Sequence, residues 1–572
     1  MKKVDSLKKE IVAERRRREA EAGQGLLGLV ARGEGQRVLD DLLFFVAPDQ
    51  AMAHLEVIEQ DVRNGFAAAS AGRQERTLRW LTELALALHS FLPRWNLQSV
   101  ERHGKAALTD EQVEQTAGRV QSLAVELAAQ APAVASKLLE AWRVDTAQRL
   151  EAEAATDPQG RATALVGDSV SDYLSNVSAE LGCSNLRRIA EMLLAGQTHT
   201  EIGNDFAAFL PYALYVGACY VTCNPPLVER AWASDPERWT PVVDHTIMNH
   251  PGDDEDRLAL LVTAEVVLAQ MRLLRPIFLL SGGEMGRVCL QVNPRKHDNA
   301  GAMVADALFA YDWLRDAVGG VPNVVFKLPG TQAGLEACRA LTGRGIGVTI
   351  TVNFGLFQHQ AFAEAIAAGK AIVSYLVEMN GRLAFPVRDE LLARLGELAA
   401  FGIDEAQARE AAAWAGIAVV RRAESLLAAK GYDRRRIKTL VASLRIYRGA
   451  GYEGLPNAFP DITEVLGAGV ISVFPNIRGP FDAQAGLVLH PSSIEAPVPE
   501  RALEVLAHSE LFRQAYYLEG DGERFRPATV LHVADQERVA AWPPVHNTLA
   551  EFIKSYDTMV TRILERKQLL AA

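Results

Sequence analysis

The stretch "VVFKLPGT", residues 324–331, sets one lysine into an apolar strand. Lys327 lies between Phe326 and Leu328, and Pro329-Gly330 follow at once. Such a lysine has two readings. Its stem can pack on apolar surface while the ammonium head reaches water. Alternatively, hydrocarbon neighbours strip the ammonium of hydration and favour the free amine. A free amine attacks a carbonyl carbon and forms a Schiff base, whose iminium draws electrons from the adjoining carbon. A C–C bond then breaks or forms beside it, with no metal and no cofactor.

The elements around the lysine decide between these readings. From about residue 200, short β-branched runs alternate with helix-like stretches. The runs are "CYVTCNP" (219–225), "VCLQVNP" (288–294), "NVVFKLP" (323–329), "GVTITVNF" (347–354), "AIVSYLV" (371–377), "KTLVASLR" (438–445) and "GVISVFPN" (469–476), with one more before "GND" at 203–205. Near-continuous apolar strands between helices predict a parallel sheet covered by helices. Eight such units over residues 201–480 predict an α/β fold, a (β/α)8 TIM barrel. No G-x-G-x-x-G follows an early strand, so a dinucleotide fold has no support. In a barrel, chemistry sits at the C-terminal strand ends. Those ends offer Asn224, Gln291 with Asn293 and Arg295, Lys327, Thr349 with Thr351 and Asn353, Ser374 or Tyr375, Ser443 with Arg445, and Asn476. Polar residues at matching depth in successive units predict one shared pocket around Lys327.

The flanks read differently. Residues 1–200 form a helical N-terminal region, with apolar positions at helical spacing in "TLRWLTELALALHSFL" and "EQVEQTAGRVQSLAVELAAQ". The Lys/Arg-rich start, "MKKVDSLKKEIVAERRRREAEAG", reads as a solvated helix face rather than a nucleic-acid arm. Residues 481–572 form a C-terminal extension that packs on the barrel or joins subunits. Its last segment is amphipathic, with Phe552, Tyr556, Met559, Ile563 and Leu564 at near-helical spacing. A homo-oligomer through the helical regions is one expectation.

Composition narrows the classes. The 572 residues are 49% hydrophobic and 23% charged, which are globular values. A net charge of −11 argues against a general nucleic-acid binder. No run of ~18 apolar residues predicts a membrane span, and the first residues lack the apolar core of a secretory signal. The five cysteines, Cys183, Cys219, Cys223, Cys289 and Cys338, are an odd number and suit reduced thiols in a cytoplasm. Cys219 and Cys223 have no neighbouring ligand at metal spacing, so no metal site is expected. "GGEMGR" (282–287) reads as a turn, and "NHPGDDEDR" (249–257) as an acidic loop. His297 and His359 either line the barrel mouth or are ordinary surface histidines.

"VCLQVNPR", "NVVFKLPGTQAGLEACRALTGRG" and "GVTITVNFGLFQ" resemble the core of the transaldolases. That family's pattern runs through S-x-E-V-D-x-R, then IKIPGT-xx-G with its Schiff-base lysine, then G-I-x-x-N-x-T-L-x-F-S. "YVTCNPPLV" (220–228) is similar to its TTNPSLI, and "TLVASLRI" (439–446) to its MGASFRN. The resemblance spans roughly residues 203–480, with the motifs in order. It implies an enzyme that makes and breaks C–C bonds of ketose phosphates or related polyols. A dihydroxyacetone unit would pass to an aldehyde acceptor, without a cofactor and without nucleic-acid or membrane partners. It also implies roles. Lys327 is the Schiff-base lysine, Asn224 binds substrate hydroxyls, and Thr351 helps hold the catalytic water, with Thr349 at a neighbouring asparagine position. Ser374 matches a serine at the end of strand six, and Ser443 with Arg445 matches the phosphate-binding pair. Asp205 is the nearest counterpart of the aspartate on strand one, with capping of a helix from Phe206 as the competing reading.

The departures are specific. Gln291 stands where the family has its catalytic glutamate, and an amide cannot be a general base. Asn293 replaces the next acid. Fructose 6-phosphate aldolases of the same superfamily also carry glutamine there and use a strand-six tyrosine. Here Leu376 takes that place, and Tyr375 is one residue off, on the opposite face. The family's "GR" comes three residues late, as Gly381-Arg382. Glu378 and Tyr375 are the candidates to replace the glutamate. An aldolase, and a sugar-phosphate-binding barrel without catalysis, stay open beside the transaldolase.

Overall fold

The computed structural model of the chain describes residues 2–103, 105–205 and 210–571. Eight parallel strands close into a barrel in sequence order: β1 (Glu201–Asn204), β2 (Ala218–Val221), β3 (Arg287–Gln291), β4 (Val324–Pro329), β5 (Val348–Thr351), β6 (Ser374–Met379), β7 (Ile437–Ala442) and β8 (Val470–Val473). β8 returns to pair with β1, which removes any sheet edge. Gln291, Lys327 and Thr349 lie side by side in register on β3, β4 and β5. Strand alternation sends every second side chain inward. Lys438, Leu440 and Ala442 therefore share the inner face of β7, and Tyr375, Val377 and Met379 that of β6.

One strand end differs from the sequence expectation. β6 starts at Ser374 and runs to Met379. Ser374 and Tyr375 therefore lie at the floor, not at the mouth. Ser374 Oγ accepts a hydrogen bond from the Val348 amide at the start of β5. Tyr375 is fully buried against Tyr220, with ring centroids 4.5 Å apart. The apolar run 371–377 carries no mark of where the strand ends, because the residues that continue it inward, Val377 and Met379, are also apolar.

Helices precede the barrel from Lys2 to Leu194. Their buried faces follow the 3.6-residue period, as with Leu78, Leu81, Leu84, Ala85 and Leu88. Each such leucine removed from water contributes about 2 kcal/mol. The first helix, Lys2–Glu21, crosses the barrel floor. Its charges are not all solvated: Lys8 reaches Glu284 at 2.8 Å, Glu10 accepts from Arg315 at 2.7 Å, and Glu14 accepts from Arg275 at 2.9 Å. Ile11 between them is fully buried. "GGEMGR" is a turn at this floor, and the Glu284 carbonyl accepts from Lys438.

The last helix, Pro543–Ala571, packs along the barrel's outer helices and across its mouth. Phe552, Tyr556, Met559 and Ile563 are buried along one face. Among the described residues no helix is long and apolar enough to cross a membrane. All five cysteines are free thiols.

Candidate active site

β4 ends in Lys327-Leu328-Pro329, and the turn after it is held by one side chain. Gln358 donates to the carbonyls of Gly330 (2.6 Å) and Val352 (3.0 Å), and accepts from the amides of Phe354 and Gly355. A Cβ at position 330 would sit 2.5 Å from that amide nitrogen, so the site requires glycine after Pro329. Val352 holds φ at 54°, a strained value for a β-branched residue. The staple thus fixes the ends of β4 and β5, where Lys327, Thr349 and Thr351 stand.

Lys327 is 6% exposed. No carboxylate pairs with its Nζ among the described residues, and Nζ lies over the face of Phe552, 5.5 Å from the ring centroid. It opens on a cavity of about 360 Å³ at the barrel mouth. Asp205, Asn224, Thr349, Thr351, Ser443, Arg445 and Asn476 line the same cavity. Gln291, Asn293 and His297 line a smaller space on the other side of Lys327, beneath Phe552. Gln291 Oε1 is buried without a hydrogen-bond partner.

The cavity carries charges of both signs. Asp205, next after β1, accepts a hydrogen bond from the Thr222 hydroxyl. The start of the helix that it was expected to cap, Phe206, lies outside the described residues. Arg230, Arg382 and Arg445 also line the cavity, and Arg382 and Arg445 are neighbours. Arg445 donates through Nη1 to the carbonyls of Ser443 and Leu444, and its amide donates to Asp461 at 2.8 Å. Burial, and then the neighbouring Arg382, push the Arg445 guanidinium below its usual value. Ser443 takes φ 58°, and Gly381 packs on its carbonyl at a distance no Cβ allows. That close approach brings Arg382 to Arg445. The late "GR" is explained by the length of β6: Gly381-Arg382 open the helix that leaves its end at Met379.

Arg382 makes a two-pronged pair with Glu551 of the last helix, at 2.6 and 2.7 Å. Hydrogen bonds from Arg382 hold the Glu551 carboxyl below the usual carboxylate range, and Arg445 and Arg230 add to this. Arg230, Glu551 and Phe552 escape sequence reasoning as parts of the site. The helical period of the last segment is legible, but not what its buried face covers.

Several candidates fall outside. Ser374 and Tyr375 are at the floor, as described. Glu378 is fully buried on the outer side of β6, 3.2 Å from His359 Nε2. His359 is therefore neither at the mouth nor on the surface. Burial drives the two in opposite directions, Glu378 well up and His359 down to about 4, so both sit neutral. Arg295 turns away to Asp557 at 2.7 Å. Asn353 is buried beyond β5 and lines neither cavity. Among the described residues no group of three or more His, Cys, Asp or Glu could hold a metal ion.

The family model for transaldolase/fructose-6-phosphate aldolase matches residues 212–446. That range runs from just past β1 through β7 and contains Asn224, Lys327 and Arg445. The match thus falls on most of the barrel and on no other part of the chain. The chain is 33% identical over 149 residues to transaldolase 1 of Streptomyces avermitilis, covering 26% of this chain and 37% of that protein. It is 33% identical over 198 residues to a transaldolase of Frankia alni, covering 33% and 50%. A transaldolase of Thiobacillus denitrificans is 33% identical over 201 residues, covering 35% and 50%. The chain thus spans about half or less of the length of these relatives. The helical N-terminal region lies outside the family match.

Proposed function

We propose that this chain is a transaldolase-type enzyme that works through a Schiff base on Lys327. The observation that carries the reading is a buried amine without a carboxylate partner, opening on a cavity that is also lined by Asp205, by the Arg382–Glu551 pair and by Arg230 and Arg445. The Lys327 amine adds to the ketone carbon of a ketose and expels water as the iminium forms. Asp205 takes the proton from the hydroxyl two carbons away. The C–C bond between them breaks, its electrons pass into the iminium, and an aldehyde leaves. The enamine that remains then adds to an acceptor aldehyde, and hydrolysis frees the lysine. Asn224, Thr349 and Thr351 are placed to bind substrate hydroxyls and water.

Arg230, Arg382 and Arg445 suit a phosphate monoester at the far end of the substrate, because guanidinium forks match its oxygens and stay charged. Glu551 holds Arg382 meanwhile, and a phosphate dianion competes with it.

Gln291 supports the second reading, an aldolase that releases or captures the three-carbon unit free. The aldolase-type tyrosine has no support at the mouth, since Tyr375 lies at the floor. Residues 1–200 and 481–572 fit a scaffold and a mouth cover for the barrel of residues 201–480. The test is turnover of fructose 6-phosphate with and without erythrose 4-phosphate. Acceptor-dependent turnover supports the transaldolase, acceptor-independent release the aldolase. Silence of the folded protein with both overturns sugar-phosphate catalysis.

A further inference from the structure

The smaller space beside Lys327 measures about 10 Å³, and Leu549 and Phe552 of the last helix line it too. That is about the room one water needs. Three side-chain atoms from the end of β3 and the segment after it are buried without a hydrogen-bond partner: Gln291 Oε1, Asn293 Nδ2 and His297 Nδ1. All three residues line this space, and Gln291 and Asn293 are 8% and 6% exposed. Asn293 Oδ1 is already engaged, since it accepts from the Arg295 amide at 2.9 Å. The His297 carbonyl accepts from the Thr331 hydroxyl at 3.3 Å, which ties the histidine to the turn after β4.

The three atoms complement a single water. Gln291 Oε1 and an unprotonated His297 Nδ1 accept its two O–H groups, and Asn293 Nδ2 donates to its oxygen. Three hydrogen bonds are typical of a buried water, and each relieves a group that is costly to leave unpaired. One lone pair remains for a carbon held on Lys327. Among the described residues that line the space, Lys327 and His297 alone titrate. The charged groups around the histidine's segment are engaged elsewhere. Asp256 and Asp306 face Lys296 at 3.3 and 3.7 Å, and Asp557 and Glu255 face Arg295 at 2.7 and 3.9 Å. Asp298, next in the chain, is exposed.

We propose that His297 is a further catalytic residue, which moves protons through one water held by Gln291 and Asn293 as the Schiff base forms and hydrolyses. This rests on the Schiff-base reading of Lys327. In hydrolysis the water oxygen bonds to the iminium carbon, and the proton it sheds goes to Nδ1. His297 returns that proton to the lysine nitrogen. The C–N bond then breaks, its electron pair stays on nitrogen, and the new hydroxyl gives its proton to His297 as the ketone forms. His297 is only half-buried, so this last proton can pass to solvent. Schiff-base formation runs the same steps backwards.

The test compares wild type with His297→Asn and His297→Gln, which keep a hydrogen-bonding side chain but cannot titrate. Two rates are followed across pH: kcat, and loss of a heavy-oxygen label from the ketose carbonyl to water, which needs the Schiff base but no C–C cleavage. Both should fall about a hundredfold or more in each folded variant, the usual worth of acid–base catalysis. KM should stay within a few-fold, and the ionisation of kcat between pH 5 and 8, where histidines titrate, should disappear. Borohydride should still trap the sugar on Lys327 in both variants. Either variant with full label loss and kcat, or with the ionisation retained, overturns the proposal and leaves the Schiff-base reading standing. Failure to trap the sugar on wild-type Lys327 overturns both.

Discussion

The barrel holds two inward lysines, Lys327 at the mouth and Lys438 at the floor, and each is 6% exposed. Burial does not distinguish them. Pairing does. Lys438 is bonded to Glu201 on β1 and donates to the Glu284 carbonyl at 2.9 Å. Lys327 has a phenylalanine face and a cavity instead. A buried ammonium that is paired is a structural group, whose loss leaves an uncompensated charge behind. A buried lysine that is unpaired and reachable is a nucleophile in waiting. The two ends are also closed differently. The floor is sealed by Ile11 and the ion pairs of the first helix, the mouth by Phe552 and one half-exposed ion pair, Arg382–Glu551.

Exchanging either lysine for methionine is the sharpest way to break this comparison. Lys438→Met should lose about 3–5 kcal/mol of stability, because Glu201 is left buried and unpaired. Lys327→Met should melt close to the wild type and lose all turnover. Thermal melting beside a turnover assay checks both, and equal melting losses in the two variants would remove the contrast.

The next effect belongs to the arginines of the mouth. Arg445→Gln should raise KM for a phosphorylated ketose about tenfold to a hundredfold, the worth of a hydrogen bond to a charged group. KM for an unphosphorylated ketose should hardly change. Equal changes for both substrates would show that Arg445 shapes the loop rather than binding the anion.

The outer wall of β6 offers a smaller, pH-dependent effect. Folded Glu378 keeps a proton that the unfolded chain gives up above its usual value of 4.5, so it favours folding at low pH and loses that advantage as pH rises. His359, held down at about 4, works the other way below 6.5. The two oppose each other up to that point, and above it Glu378 acts alone. Wild-type stability relative to Glu378→Gln should therefore fall as pH rises above 6.5, by up to about 1 kcal/mol per pH unit, until Glu378 ionises in the folded chain. Parallel denaturation profiles of the two proteins would contradict this.

The smallest effect is at the cover of the mouth. Glu551→Gln should lower the inhibition constant of inorganic phosphate only a few-fold, because exposed ion pairs contribute about 0–1 kcal/mol. No change would mean that phosphate does not meet Arg382.

Much of this contrast is legible in the sequence at the mouth and little of it at the floor. Thr349 and Thr351 stand two apart on an apolar strand, and "FKLPG" marks both the lysine and the turn that follows. Lys438 sits in an equally apolar run, but its partner Glu201 is 237 residues away and in a strand of weak pattern. Tyr375 misleads because polarity marks an inward position without marking its depth, and Ser374 because it stands on the outer face of β6, where its hydroxyl meets the Val348 amide. Glu551 is separated from Arg382 by 169 residues, and helical periodicity shows only that its neighbours Phe552 and Tyr556 face something apolar. Glu378 and His359 pair across a strand and a helix, a packing that no local pattern encodes.

Borohydride reduction in the presence of fructose 6-phosphate, followed by peptide mapping, tests the central claim most directly. The account predicts a covalent three- or six-carbon adduct on Lys327 and none on Lys438. An adduct on Lys438, or none on a folded chain that turns the sugar over, would contradict it.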